Sequence, residues 1–168
     1  MSKSRSSGRP DERVFLGLGG NVGDVAAAMR TALAKLAADE GIRLIGVSSL
    51  WSTPPWGVAE QPDFLNAVAE IRTAHSPGDL LALALDIERH LKRERRERWG
   101  PRTLDIDILL FGERVIDEPG LQIPHPRIGE RAFVTIPLGE IAADVAARFA
   151  QPDMPAGMRR AASGDWWR

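Results

Sequence analysis

Between Thr103 and Phe111 the chain reads Thr-Leu-Asp-Ile-Asp-Ile-Leu-Leu-Phe, an apolar stretch interrupted by two carboxylates set two residues apart. In a strand, alternate side chains go to opposite faces, so Asp105 and Asp107 share one face while Leu104, Ile106 and Ile108 share the other. Their Cα atoms then lie ~6.6 Å apart. Two carboxylates that close, flanked by apolar residues, raise each other's pKa and lose hydration unless a cation lies between them. Hard oxygen ligands without His or Cys favour Mg²⁺, which takes its remaining ligands from water and phosphate. For an isolated pair of this kind the favoured reading is the solvated face of an edge strand, with Arg102 as a surface partner. The preceding residues weigh against that: of 22 Lys and Arg, seven (Arg89, Lys92, Arg93, Arg95, Arg96, Arg98, Arg102) fall between Arg89 and Arg102. Cations suited to phosphate oxygens beside carboxylates suited to Mg²⁺ are the equipment of phosphoryl transfer.

A chain of 168 residues, 43% hydrophobic, forms one ordinary domain with a sizeable core. Its net charge of −1 makes the basic run a local feature, which argues against a wholly basic nucleic-acid binder. Without cysteine, disulfides, thiolate catalysis and Cys-ligated metal are excluded. No apolar run approaches the ~20 residues of a membrane span, and the polar start lacks a signal-peptide core, so a cytoplasmic protein is expected. Residues 1–12 read as a disordered leader, 13–150 as the domain and 151–168 as a weakly patterned tail, whose Trp166-Trp167 could cover an apolar patch.

Val14 to Leu18 reads as a buried strand running into a glycine turn, Gly19-Gly20-Asn21-Val22-Gly23-Asp24, that opens a helix. The glycine spacing fits neither a dinucleotide fingerprint nor a P-loop. Asp24 suits a helix cap, with Val25, Met29, Ala32, Leu33 and Leu36 as the buried stripe and Gly41 as the stop. Ile42 to Trp51 is a second strand, closed by the prolines of Ser52-Thr53-Pro54-Pro55. Phe64 to Arg72 is a third, with Phe64, Asn66 and Val68 on one face. An aromatic plane beside a carboxamide suits a flat heterocycle, although a half-buried Phe with a turn-facing Asn fits this segment equally well. Ser76-Pro77 starts a second helix along Leu80, Leu81, Ala84, Ile87 and Leu91, and the basic run at its end reads as helix face or loop. After the strand of Asp105 and Asp107, a hairpin turn at Gly112-Glu113-Arg114 leads to Val115-Ile116, then a short strand at Leu121-Gln122-Ile123. Strand, helix, strand, strand, helix, strand is the ferredoxin-like β-α-β-β-α-β order of an α+β sandwich, with both helices on one face and extra C-terminal strands. Pro124-His125-Pro126-Arg127 is a stiff turn presenting one imidazole, better suited to a phosphate or backbone hydrogen bond than to metal.

Taken together, Trp99-Gly100-Pro101-Arg102-Thr103-Leu104-Asp105-Ile106-Asp107, Ser52-Thr53-Pro54-Pro55, Gln61-Pro62-Asp63-Phe64-Leu65-Asn66, and Pro124-His125-Pro126-Arg127 with Arg131 and Phe133 resemble the 6-hydroxymethyl-7,8-dihydropterin pyrophosphokinases of folate biosynthesis. The resemblance runs from about Val14 to Ala142. It implies two Mg²⁺ ions and transfer of the pyrophosphoryl group of ATP to the pterin hydroxymethyl, releasing AMP. It further implies that Asp105 and Asp107 ligate metal and that Arg93 and Arg102 are catalytic arginines. Glu88, Arg95, Trp99, His125 and Arg131 would belong to the ATP site. Thr53, Pro54, Trp56, Phe64, Asn66 and Phe133 would form the pterin pocket, its two Phe rings sandwiching the bicycle. The expected partners are these small molecules, with no nucleic acid and no membrane, and the expected state is a monomer. Two other readings stay in view: a different two-metal phosphoryl or nucleotidyl transferase, and a ferredoxin-like RNA-binding or regulatory module. The last is disfavoured by 6% aromatics, no Tyr and near-zero net charge.

Overall fold

The computed structural model describes residues 11–55, 61–96 and 103–168, the side chains of 93–96 and 103 excepted. Strand β1 (Glu12–Val22) leads to helix α1 (Val25–Ala37), β2 (Ile42–Val47), β3 (Leu50–Thr53), β4 (Phe64–Thr73), α2 (Pro77–Arg96) and β5 (Thr103–Phe111). Then follow β6 (Ile116–Glu118), β7 (Leu121–Ile123), α3 (Ala132–Ile141), the single turn α4 (Ala143–Ala146) and β8 (Arg159–Ala162). The main sheet is ordered β5-β1-β4-β3-β8, with β2 also paired to β4, and its ladders are antiparallel.

Alternation along these strands divides the core in two. Val14, Leu16 and Leu18 of β1, Ala67, Ala69 and Ile71 of β4, and Ile106 and Ile108 of β5 face α1 and α2 and form the larger cluster. Phe15, Val68 and Leu110 face the other way, joined by Leu109, the extra residue where the β1–β5 register shifts, against Val134 and Leu138 of α3 and Val145 of α4. Helix α1 forms where its cap and stripe dictate: Asp24 accepts from the Ala27 N–H at 3.1 Å, and Val25, Ala28, Met29, Ala32, Leu33 and Leu36 are buried. In α2, Ser76 Oγ accepts from the Asp79 N–H in the same way.

Several expectations need correction. β1 does not turn at Gly19-Gly20 but runs on to Val22, and Gly23 (φ 76°) makes the turn. Gly19 is needed for closeness instead: a Cβ there would lie 2.5 Å from the Asn66 Oδ1. Gly41 does not end α1 through a left-handed cap, since the helix closes on Ala38 in αR, and Gly41 sits under the His75 ring. The second strand is broken at Ser48-Ser49, because the Ser48 hydroxyl takes the Val68 N–H at 2.9 Å and donates to the Ser49 carbonyl. Glu140 of α3 accepts from the Ser49 N–H at the same break. The residues after Gly112 do not pair with β5 as a hairpin: β6 pairs with β7 in a separate two-stranded sheet, which meets β5 through packing and the His125 N–H to Leu109 carbonyl bond at 2.9 Å. Residues 159–162 extend the main sheet as β8, and Trp166 and Trp167 pack on the larger cluster, the Trp166 indole donating to the Ser48 carbonyl.

Candidate active site

The sheet register assembles the site. Gly17 lies between Asp107 on β5 and Val68 on β4, and Gly19 lies between Asp105 and Asn66, which is followed across β4 by Trp51. Paired residues share a face, so the two carboxylates and the Asn66 carboxamide project on the same side of the sheet, Asn66 and Asp105 two strand spacings or about 10 Å apart. With only glycine between them, no β1 side chain fills the gap. The result is a cavity of about 740 Å³. Its floor is Gly17, Leu18, Gly19 and Gly20 of β1 with Asn66, Ala67 and Val68, and its sides carry Thr53, Pro54, Phe64, Phe133, Arg131, Asp105 and Asp107. The Arg131 guanidinium lies 5.5 Å from the Phe133 ring centroid.

A second cavity, of about 640 Å³, runs along the outer edge of β5, bounded by Leu81 of α2, the β6–β7 turn from Asp117 to Gln122, and His125. Asp107 lines both. Its carboxyl opens to solvent at this junction while protein walls it from the sides. Burial therefore pushes its pKa up, His125 pulls it down, and Asp105 adds to the rise. At Asp107, repulsion by Asp105 is thus secondary to desolvation. Burial holds the His125 imidazole below its ordinary pKa, against the opposing pull of Asp107 and with help from Arg131. Its Nδ1 accepts the Arg127 N–H at 3.2 Å, leaving the proton of the neutral ring on Nε2.

The carboxylates fit Mg²⁺ by their chemistry. They are two hard oxygen donors on one face, neither ion-paired with a described residue, and among the described residues no cluster of three or more His, Asp or Glu offers a closed protein cage. The pair would suit Mg²⁺, which keeps several waters and takes phosphate oxygens as further ligands.

The family model for 7,8-dihydro-6-hydroxymethylpterin-pyrophosphokinase (HPPK) matches residues 15–143. The chain belongs to this family. The 2-amino-4-hydroxy-6-hydroxymethyldihydropteridine pyrophosphokinase of Methylorubrum extorquens is 47% identical over 133 residues, 79% of this chain and 84% of that one. Its Bacillus subtilis counterpart is 44% identical over 131 residues, 78% of each. A crystal structure of Plasmodium falciparum HPPK-DHPS superposes with a TM-score of 0.62 at 15% identity over 80% of this chain, which spans 40% of that longer one. This last likeness shows the mixed α/β fold with its antiparallel sheet.

In this HPPK chain, Thr53, Pro54, Phe64, Asn66, Phe133, Arg131, Asp105 and Asp107 line one cavity, and His125 joins Asp107 in the other. Trp56, Trp99 and Arg102 lie outside the described residues, as do the side chains of Arg93 and Arg95. Glu88 binds backbone: its Oε2 accepts the Ile106 N–H at 2.6 Å, between the two aspartates. Burial raises its pKa, the Ile106 hydrogen bond opposes the rise, and Asp105 adds to it. Two sets of wall residues escaped the sequence reading. The β1 glycines resembled a turn, and Pro155 and Ala156 sit in the unpatterned tail.

Proposed function

We propose that the larger cavity is the pterin pocket of a 6-hydroxymethyl-7,8-dihydropterin pyrophosphokinase and that ATP enters along the edge of β5, so that the two substrates meet at Asp107. The chain transfers the pyrophosphoryl group of ATP to the pterin hydroxymethyl, giving AMP and the pterin diphosphate in folate biosynthesis. The observation that carries the site assignment is the sharing of Asp107 between an aromatic-walled cavity and a second cavity on the strand edge.

Each described residue has a task that its surroundings suit. Phe64 and Phe133 offer ring faces to a flat bicycle, and Asn66 offers a donor and an acceptor to its edge. Arg131 brings a fixed positive charge to the place where the pockets join. The Nε2–H of neutral His125 can donate to a phosphate oxygen. Glu88 holds the β5 backbone between the aspartates, which keeps both carboxylates in register. Mg²⁺, two ions by the family resemblance, would be held by Asp105 and Asp107 and would supply charge neutralisation for the triphosphate and a lowered pKa for the attacking hydroxyl. Arg93 and Arg102 would neutralise charge that develops during transfer, with Arg95 and Trp99 on the nucleotide side and Trp56 on the pterin side.

The finer assignments rest on the same ground. The order β5-β1-β4-β3, with α1 and α2 on one face, supports a ferredoxin-like topology. We read the chain as a cytoplasmic monomer acting on small molecules; no described helix is long and apolar enough to cross a membrane. An AMP-release assay with 6-hydroxymethyl-7,8-dihydropterin, with and without Mg²⁺, tests the reading: another two-metal transferase would release no pterin-dependent AMP.

A further inference from the structure

The family match ends at residue 143, yet the chain beyond it returns to the site. Gln151 tacks the start of this segment to α4, its Nε2 donating to the Ala146 and Phe149 carbonyls at 2.6 and 3.1 Å. Pro155 and Ala156 then line the cavity that holds Phe64, Asn66 and Phe133. At Gly157 the fit against the β3 end is close: φ is +85°, and a Cβ would lie 2.7 Å from the Pro54 Cγ. Met158, 6% exposed, packs with Trp51 and Ala132. Beyond it β8 pairs with β3, and Arg160 clamps the strand: Nη2 lies 3.2 Å from Glu140, Nε donates to the Ser49 hydroxyl, and the guanidinium lies 4.7 Å from the Trp51 ring centroid. The segment is therefore a strap fixed on both sides of Pro155-Ala156.

The cavity spans the sheet from β5 through β1 and β4 to β3, three strand spacings or roughly 14 Å. The carboxylates lie at the β5 end and the strap at the β3 end. A substrate whose hydroxymethyl reacts beside the carboxylates must direct the remote end of its ring system toward Thr53, Pro54 and the strap. We propose that residues 155–157 form the end wall of the substrate pocket and set its specificity, admitting a flat bicycle and rejecting analogues substituted on the edge remote from the hydroxymethyl. This deepens the pterin-pocket reading and rests on it.

The full-length enzyme tests it through separate Michaelis constants for pterin and ATP. Ala156 is exposed, so Ala156→Phe adds bulk to the wall at little risk to folding. It should raise the pterin KM about tenfold and leave the ATP KM within about twofold. Arg160→Ala loosens the strap without adding bulk. It should raise the relative kcat/KM for pterins carrying an added group on the remote edge, and Arg160→Lys should restore part of the discrimination. The end wall is refuted if Ala156→Phe leaves the pterin KM unchanged while Asn66→Ala raises it, an outcome that spares the pocket. If Asn66→Ala is also without effect, the pocket reading falls and the wall with it. Equal rises in both Michaelis constants, accompanied by a lower Tm, would likewise overturn the proposal by making the strap a structural element only.

Discussion

Removing the Glu140 side chain should be among the most damaging single changes away from the reacting groups. Its carboxylate accepts from the Ser49 N–H at 2.9 Å, the Ser49 hydroxyl at 2.8 Å, the Trp51 indole at 3.0 Å and Arg160 at 3.2 Å. Trp51 and Ser49 are only 5% and 8% exposed, so Glu140→Ala leaves two buried N–H donors without an acceptor. Each such group costs about 1–3 kcal/mol, and partial access of water limits the total to roughly 2–4 kcal/mol. For a domain of this size that corresponds to a Tm lower by about 5–15 °C. The same carboxylate makes the effect dependent on pH. Burial pushes its pKa up, but the hydrogen bonds from Trp51, Ser49 and Arg160 outweigh burial and hold it below the ordinary 4.5. A folded pKa below the unfolded one contributes stability that is complete above the unfolded value and is lost as pH falls through the folded value. Melting curves of wild type and Glu140→Gln at pH 7 and at successively lower pH should therefore converge below the ordinary glutamate range. Because α3 also carries Phe133, Glu140→Ala should raise the pterin KM as well. A Tm within about 2 °C of wild type for Glu140→Ala, or a gap between wild type and Glu140→Gln that persists unchanged into acid, would show that these hydrogen bonds contribute little to stability.

Gly19→Ala places a Cβ 2.5 Å from the Asn66 Oδ1 and must push the carboxamide aside, so it should raise the pterin KM by about tenfold or more while the ATP KM stays near wild type; steady-state kinetics in each substrate check this. Asp24→Ala removes the cap of α1 and should cost ~1 kcal/mol, a Tm lower by about 2–4 °C with no change in either Michaelis constant. Arg102→Ala and Arg93→Ala should each lower kcat by ~10² or more and raise KM less if these cations act in the transition state; a pure KM effect would assign them to ground-state binding.

What the sequence made legible was whatever its periodicity alone determines. The α1 stripe, the shared face of Asp105 and Asp107, and the shared face of Phe64, Asn66 and Val68 all follow from local spacing, and each holds in the structure. The break at Ser48-Ser49 was hidden, because one of its partners is Glu140, 91 residues away from Ser49, and nothing in the apolar run around it signals that link. Helix α3 was hidden by its own composition. Thr135, Pro137 and Gly139 are poor helix formers, and the helix is held by burial of Val134 and Leu138 against the sheet. β8 reads Arg-Arg-Ala-Ala with three exposed positions, so no alternation announces a strand whose hold comes from β3 and Glu140. The glycines of β1 misled for a related reason. Glycine marks both turns and close approaches, and only the cross-strand neighbours, Asn66 and Asp105, tell which applies.

If Asp105 and Asp107 hold Mg²⁺ where the two substrates meet, Asp107→Asn should stop turnover without unfolding the protein. Burial has already raised the pKa of Asp107 and disfavours its charged form in the folded state, so the variant should be as stable as wild type or more so at pH 7. In the same preparation, Mg²⁺-dependent release of AMP with 6-hydroxymethyl-7,8-dihydropterin should fall by ~10² or more. Turnover at the wild-type rate by a folded Asp107→Asn enzyme, or undiminished wild-type activity in excess chelator, would contradict the account.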